Sequence, residues 1–125
     1  MRASYDPRHK KRRTIIKEIF AWQYSDQNPL SKDSQEVADN LEKIDQLLTE
    51  AAPDRPLKQI NRIDLAILRL AIFELFIKPS APYKVVVDEA VELAKEFGAD
   101  SSASFINGAL GKLIETHSAD IKKEG

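Results

Sequence analysis

Ile63-Asp64-Leu65-Ala66-Ile67-Leu68-Arg69-Leu70-Ala71-Ile72-Phe73-Glu74-Leu75-Phe76-Ile77 is the stretch on which the fold of this 125-residue chain turns. Apolar side chains cover nearly every helical face of it, the pattern of a helix enclosed by other helices rather than lying on a surface. Its most apolar part, Leu65 to Ile77, is too short to span a bilayer and carries Arg69 and Glu74, so it reads as the centre of a soluble core. Asn61, followed three residues later by Asp64, resembles a capping box at its start, and Lys78-Pro79-Ser80-Ala81-Pro82 breaks it at its end.

On the C-terminal side, Pro82 suits the first turn of a helix in which Val86, Ala90, Leu93 and Phe97 repeat at i, i+4, i+7, i+11. Gly98 is its expected cap, with Asp88, Glu92, Lys95 and Glu96 toward water. Ser101 or Ser102 starts a last helix with Ile106, Leu110, Leu113 and Ile114 inward, in which Gly108 and Gly111 are expected to permit close packing. On the N-terminal side, Pro53-Asp54-Arg55-Pro56 is a rigid connector. Before it, Val37, Leu41, Ile44 and Leu48 mark one amphipathic helix capped by Ser31 or Asp33. The first helix begins near Lys10 or Lys11, lays Ile15, Ile19 and Trp22 on one stripe, and stops at Asn28-Pro29. Residues 1–9 read as a flexible basic arm and 10–125 as a single domain. No stretch alternates long enough to make a strand, so the fold class is all-α, a bundle of five or more helices.

Composition removes whole classes of chemistry. With no cysteine there is neither disulfide nor thiolate nucleophile nor cysteine-based metal site. The start of the chain is charged rather than apolar, so a secretory signal is not expected and the cytoplasm is. His9 and His117 form no HExxH pattern, and neither GxGxxG nor GxxxxGK[ST] occurs to cradle a nucleotide. Asp88 and Glu89 are sequence neighbours that point apart on a helix, which makes shared acid and base work improbable. No cofactor, metal or catalytic residue is expected, and the chain reads as a binding domain. Glu74 is the odd carboxylate on the apolar face of Ile63, Ile67 and Leu70, and an ion pair with Arg55 or Arg62 is its expected role.

The formal net charge of −1 hides an asymmetry: the first 18 residues carry seven Lys and Arg against two carboxylates, leaving an acidic body. Lys10, Arg13 and Lys17 share one helical face with Phe20 and Tyr24 at its edge, while Arg8, His9, Lys11 and Arg12 thicken the charge. Cations that neutralise phosphates, next to rings that stack on bases, suit single-stranded RNA. The competing interpretation is a solvated helix face beside core aromatics.

The central stretch, together with Pro82-Tyr83-Lys84-Val85, the run Glu89-Ala90-Val91-Glu92-Leu93-Ala94-Lys95-Glu96-Phe97-Gly98 and the closing Phe105-Ile106-Asn107-Gly108-Ala109-Leu110, resembles the NusB antitermination-factor family. The resemblance is strong over residues 55–114, looser over Arg12 to Tyr24, and only a pattern over Asp26 to Ala52, which is short for the family. It implies two small packed helical subdomains and an RNA-binding transcription factor. Paired with a small-subunit ribosomal protein, NusE, that factor would hold boxA RNA during ribosomal RNA synthesis and help bring other Nus factors to RNA polymerase. By the same resemblance Arg8, His9, Lys10 and Arg12 would hold phosphates, with Arg13 and Lys17 beside them, and Phe20 and Phe105 would meet bases. Lys58 and Ser101 would complete the RNA face. Phe20 stands where the family has tyrosine, Ser101 where it often has an acid, and Ser104 where a basic residue is frequent. Asp64, Arg69 and Tyr83 would face NusE, although capping or local pairing explains each of them nearly as well. A protein-protein adaptor or homodimer that never touches RNA is the alternative from another class. The non-catalytic front of an RNA methyltransferase is a further one.

Overall fold

The computed structural model describes residues 6–121, and within them the chain forms seven α-helices and no strand. The helices are α1 Pro7–Tyr24, α2 Lys32–Asp39, α3 Leu41–Ala51, α4 Arg62–Ile72, α5 Tyr83–Phe97, α6 Ser102–Thr116 and the short α7 Ser118–Ile121. None of them is long and apolar enough to cross a membrane.

The central stretch behaves as its composition dictates. Every residue from Asp64 to Leu75 is buried, and α4 packs against α1, α3, α5 and α6. Leu65, Ile67, Leu68 and Ile72 are almost wholly withdrawn from water, each worth about 1.5–3 kcal/mol relative to exposure. Asn61 caps α4 through Oδ1, which accepts from the N–H of Ile63 at 2.8 Å and of Asp64 at 3.3 Å. Past Ile72 the helix widens into a π turn, Phe73–Ile77, closed by the Lys78 N–H on the Phe73 carbonyl at 3.0 Å. Two groups of helices share α4: α1 with α2, and α3 with α5 and α6.

Three boundaries differ from expectation, the first being the end of α1, which stops at Tyr24 rather than at Asn28-Pro29. Asp6 accepts the Arg8 N–H at 2.9 Å and Pro7 takes the first helical position, so α1 starts three residues before Lys10. Residues 7–9 are therefore helix rather than arm, and residues 1–5 of the expected arm lie outside the described residues. The single helix expected over Val37 to Leu48 is two, α2 and α3, because Asn40 leaves helical geometry and its side-chain amide donates to the Glu36 carbonyl at 2.8 Å. At the head of α2, Ser31 holds the N-cap position as expected but makes no side-chain cap bond; its N–H donates to the Glu18 carboxylate at 2.7 Å.

Gly98 does cap α5, with φ −94°, and the reason for glycine there is a close approach. A Cβ would lie 2.5 Å from Ser102 Cβ and 2.7 Å from the Ala94 carbonyl oxygen, where the start of α6 turns back. The packing role expected of Gly108 and Gly111 is corrected: a Cβ on either would meet nothing within 4 Å.

Candidate nucleic-acid interface

The cations of α1 fall into different environments because the helix is docked along its apolar side by Ile15, Ile16 and Ile19. Positions 9 and 12, on that side of the helix, are carried inward. Arg12 is buried, with Nε 2.9 Å and Nη2 2.8 Å from the two oxygens of Glu74 and Nη1 3.4 Å from Glu89 Oε1. His9 is buried as well, with Nδ1 3.0 Å from Glu89 Oε1 and Nε2 3.2 Å from Glu96 Oε1. The expectation that His9 and Arg12 stand open to phosphates is thus corrected: both are tied to carboxylates of the π turn and α5. The partner expected for Glu74, Arg55 or Arg62, is corrected to Arg12.

The outer face of α1 keeps its charge accessible. Lys10 and Lys17 are exposed on this face and Arg13 is half-buried, while Arg8, exposed at the helix start, lies on another side of α1 and lines a cavity with Lys11, Asp33 and Lys78. Arg13 and Lys17 both reach the Phe97 ring at the end of α5, at 5.6 and 5.7 Å from its centroid. Arg13 Nε also lies 2.8 Å from Glu96 Oε2, an ion pair whose N–H is not aligned for a hydrogen bond. On the opposite edge Lys11 pairs with Asp33 at 3.4 Å. Phe20 is half-buried and meets Tyr24 edge to face at 5.1 Å, leaving Tyr24 as the open ring at 66% exposure. Beyond it a shallow depression of about 670 Å³ includes Trp22, Tyr24, Lys58 and Arg62 in its lining.

A second ring faces outward at the start of α6. Phe105 is half-buried and the Arg55 guanidinium lies over it, 4.1 Å from the centroid. Ser101 is exposed at the N-cap position of α6 and makes no side-chain cap bond. Lys58 is exposed on the 3₁₀ turn Leu57–Gln59. Structure thus brings Arg13 and Lys17 together on the Phe97 ring, and Lys58 shares the lining of one depression with Tyr24. Sequence reasoning missed Phe97, which its periodicity makes a core position, and Arg55; only the fold shows what either one touches.

Of the residues expected to face a partner, two are buried. Arg69 donates from Nε and Nη2 to Asp45 at 3.0 and 2.9 Å and from Nη1 to Gln23 at 3.0 Å, so local pairing accounts for it. Asp64 is buried, and its Oδ1 has no hydrogen-bond partner among the described residues. Tyr83, at the start of α5, is half-buried and keeps part of its ring accessible.

The sequence profile described as NusB family matches residues 11–115 of the chain. The chain belongs to the NusB family. Its similarity to a transcription antitermination protein NusB of Idiomarina loihiensis is 38% identity, covering 87% of this chain and 92% of that one. A transcription antitermination protein NusB of Chloroflexus aggregans is 47% identical over a shorter stretch, 62% of this chain and 53% of that one. A solved structure of T. maritima NusB superposes with a TM-score of 0.81 at 26% identity, covering 96% of this chain and 99% of that one. The NusB profile begins at Lys11, so it takes in the buried Arg12 and the outward Arg13, Lys17 and Phe105, while Arg8, His9 and Lys10 precede it.

Proposed function

We propose that this chain is a transcription antitermination factor of the cytoplasm that binds rather than catalyses. Together with the ribosomal protein NusE, it holds boxA-type single-stranded RNA during ribosomal RNA transcription. The observation that carries this reading is the pair of cations, Arg13 and Lys17, set on one exposed helix face over the Phe97 ring. In it Arg8, Lys10, Arg13 and Lys17 neutralise phosphates, and Tyr24 and the Arg55–Phe105 pair offer flat surfaces to bases. Lys58 adds a cation beside Tyr24. His9 and Arg12 serve the site by fixing α1 against the body rather than by touching RNA. Tyr83 is the accessible contact for NusE, and other Nus factors with RNA polymerase are reached through the assembled complex.

One observation favours a second reading, a protein-protein adaptor or homodimer that leaves RNA alone. Arg12 and Arg13 are paired with Glu74, Glu89 and Glu96 of the same chain, and the His9 ring is turned to Glu89 and Glu96. The two readings part in one experiment, fluorescence anisotropy with a labelled boxA-type RNA and a scrambled RNA, with and without NusE. Selective binding that tightens on adding NusE supports the first; RNA left free in both conditions supports the second.

A further inference from the structure

We propose that Glu96 is a positioning residue for RNA binding, its carboxylate holding Arg13 on the Phe97 ring so that Arg13 and Lys17 meet a phosphate as one preset pair. This rests on the RNA reading above. A carboxylate at the edge of a phosphate-binding surface repels the ligand, and simple Coulomb reasoning makes Glu96 a defect there. Its contacts give it a different part. Oε1 lies 3.2 Å from His9 Nε2 and Oε2 lies 2.8 Å from Arg13 Nε, so a single side chain joins the buried network to the exposed face. Arg13 is then held by the ion pair at its Nε and by the ring of the adjacent Phe97 at 5.6 Å.

A free arginine side chain carries rotamer entropy that binding would take away, and a side chain already ordered loses less. With Nε turned to Glu96, the terminal nitrogens remain. Arg13 Nη1 and Nη2 have no hydrogen-bond partner among the described residues, and together they form the fork that matches two phosphate oxygens. Lys17 Nζ lies 5.7 Å from the same ring centroid, so two cations and one carboxylate share the Phe97 platform, which leaves a local excess of one positive charge for an anion.

The test is anisotropy of a labelled boxA-type RNA, with NusE present, on the full chain and on Glu96→Ala, Glu96→Gln, Arg13→Ala, Lys17→Ala and Glu96→Ala/Arg13→Ala. Positioning predicts that Glu96→Ala raises Kd about two- to fivefold, the size of a partly exposed ion pair. Glu96→Gln, which keeps the shape but not the charge of the ion pair, loses about as much, and Glu96→Ala adds nothing in the Arg13→Ala background. Tighter or unchanged binding by Glu96→Ala overturns the proposal, as does an equal loss in both backgrounds, which would mean that Glu96 acts through His9 and the fold. If Arg13→Ala and Lys17→Ala bind like the unaltered chain, the RNA face itself is misplaced, an outcome distinct from a failure of Glu96 alone.

Discussion

Arg12 of α1 grips Glu74 of the π turn at two points, Nε and Nη2 standing 2.9 and 2.8 Å from the two carboxylate oxygens, inside the protein. The pair joins the first helix to the central one across 62 residues of chain. It also explains why a basic helix docks so firmly against an apolar core. Replacing Arg12 by Ala strands the charge of Glu74 and removes a partner of Glu89, a loss of about 3–5 kcal/mol when one member of a buried pair goes. Arg12→Lys loses the fork and should recover only part of it. Urea unfolding measures both; an Arg12→Ala protein within 1 kcal/mol of the unaltered chain would refute the role given to the pair.

Glycines separate by what surrounds them. Gly98→Ala drives a Cβ to 2.5 Å from Ser102 Cβ, a collision with a rigid helix start, and should destabilise by about 1–3 kcal/mol. Gly108→Ala and Gly111→Ala enter open space inside α6 and should each stabilise by about 0.5–1 kcal/mol. Thermal melts of the three variants check the contrast, and a destabilised Gly111→Ala protein would contradict it.

Glu18 gives the acid limb a local cause. Its carboxylate accepts the Ser31 N–H, which holds its pKa below the ordinary 4.5 against the opposing effect of burial, with lesser help from the Ser34 and Ser31 hydroxyls. A carboxyl depressed in the folded state adds stability that is full above 4.5 and fades as pH falls through the folded value. Glu18→Gln should therefore be modestly less stable than the unaltered chain at about pH 7, and the gap should have begun to narrow at about pH 4, below the ordinary 4.5. Denaturant midpoints at the two pH values decide it. A gap that persists undiminished in acid would show that the charge of Glu18 is not what matters.

The helical core was legible because burial leaves a periodic mark. Ile63 to Ile77, apolar all round, could only be an enclosed helix, and the stripes through Leu93 and Leu110 followed from the same logic. Ion pairing leaves no such mark. Arg12 and Arg13 are adjacent and alike on paper, yet a rotation of 100° about the helix buries the first against Glu74 and leaves the second half in water. The partner of Glu74 was out of reach for the same reason, since Arg55 and Arg62 are nearer along the chain than Arg12 but not in space. The early start of α1 was written in Asp6-Pro7, an N-cap followed by the residue that favours the first helical position. The break at Asn40 depends on a side chain competing for the Glu36 carbonyl, which apolar spacing does not register.

Arg55 lies flat on Phe105, so a base reaching this ring meets the guanidinium first. Arg55→Ala should weaken RNA binding by about 1 kcal/mol, and Phe105→Ala by about 1–3 kcal/mol. Binding that strengthens on removing Arg55 would mean that the guanidinium only covers the ring.

The most direct test of the RNA face is the salt dependence of Kd for boxA-type RNA, with NusE present, in the unaltered chain and in Arg13→Glu/Lys17→Glu. Four accessible cations on single-stranded RNA predict a log–log slope near −2 to −3 for the unaltered chain, from about −0.7 per phosphate. Two lost contacts should flatten it by about 1.4 and weaken binding at least tenfold. Equal slopes and equal affinities for the two proteins would contradict the account, because the RNA would then lie somewhere other than over Arg13, Lys17 and Phe97.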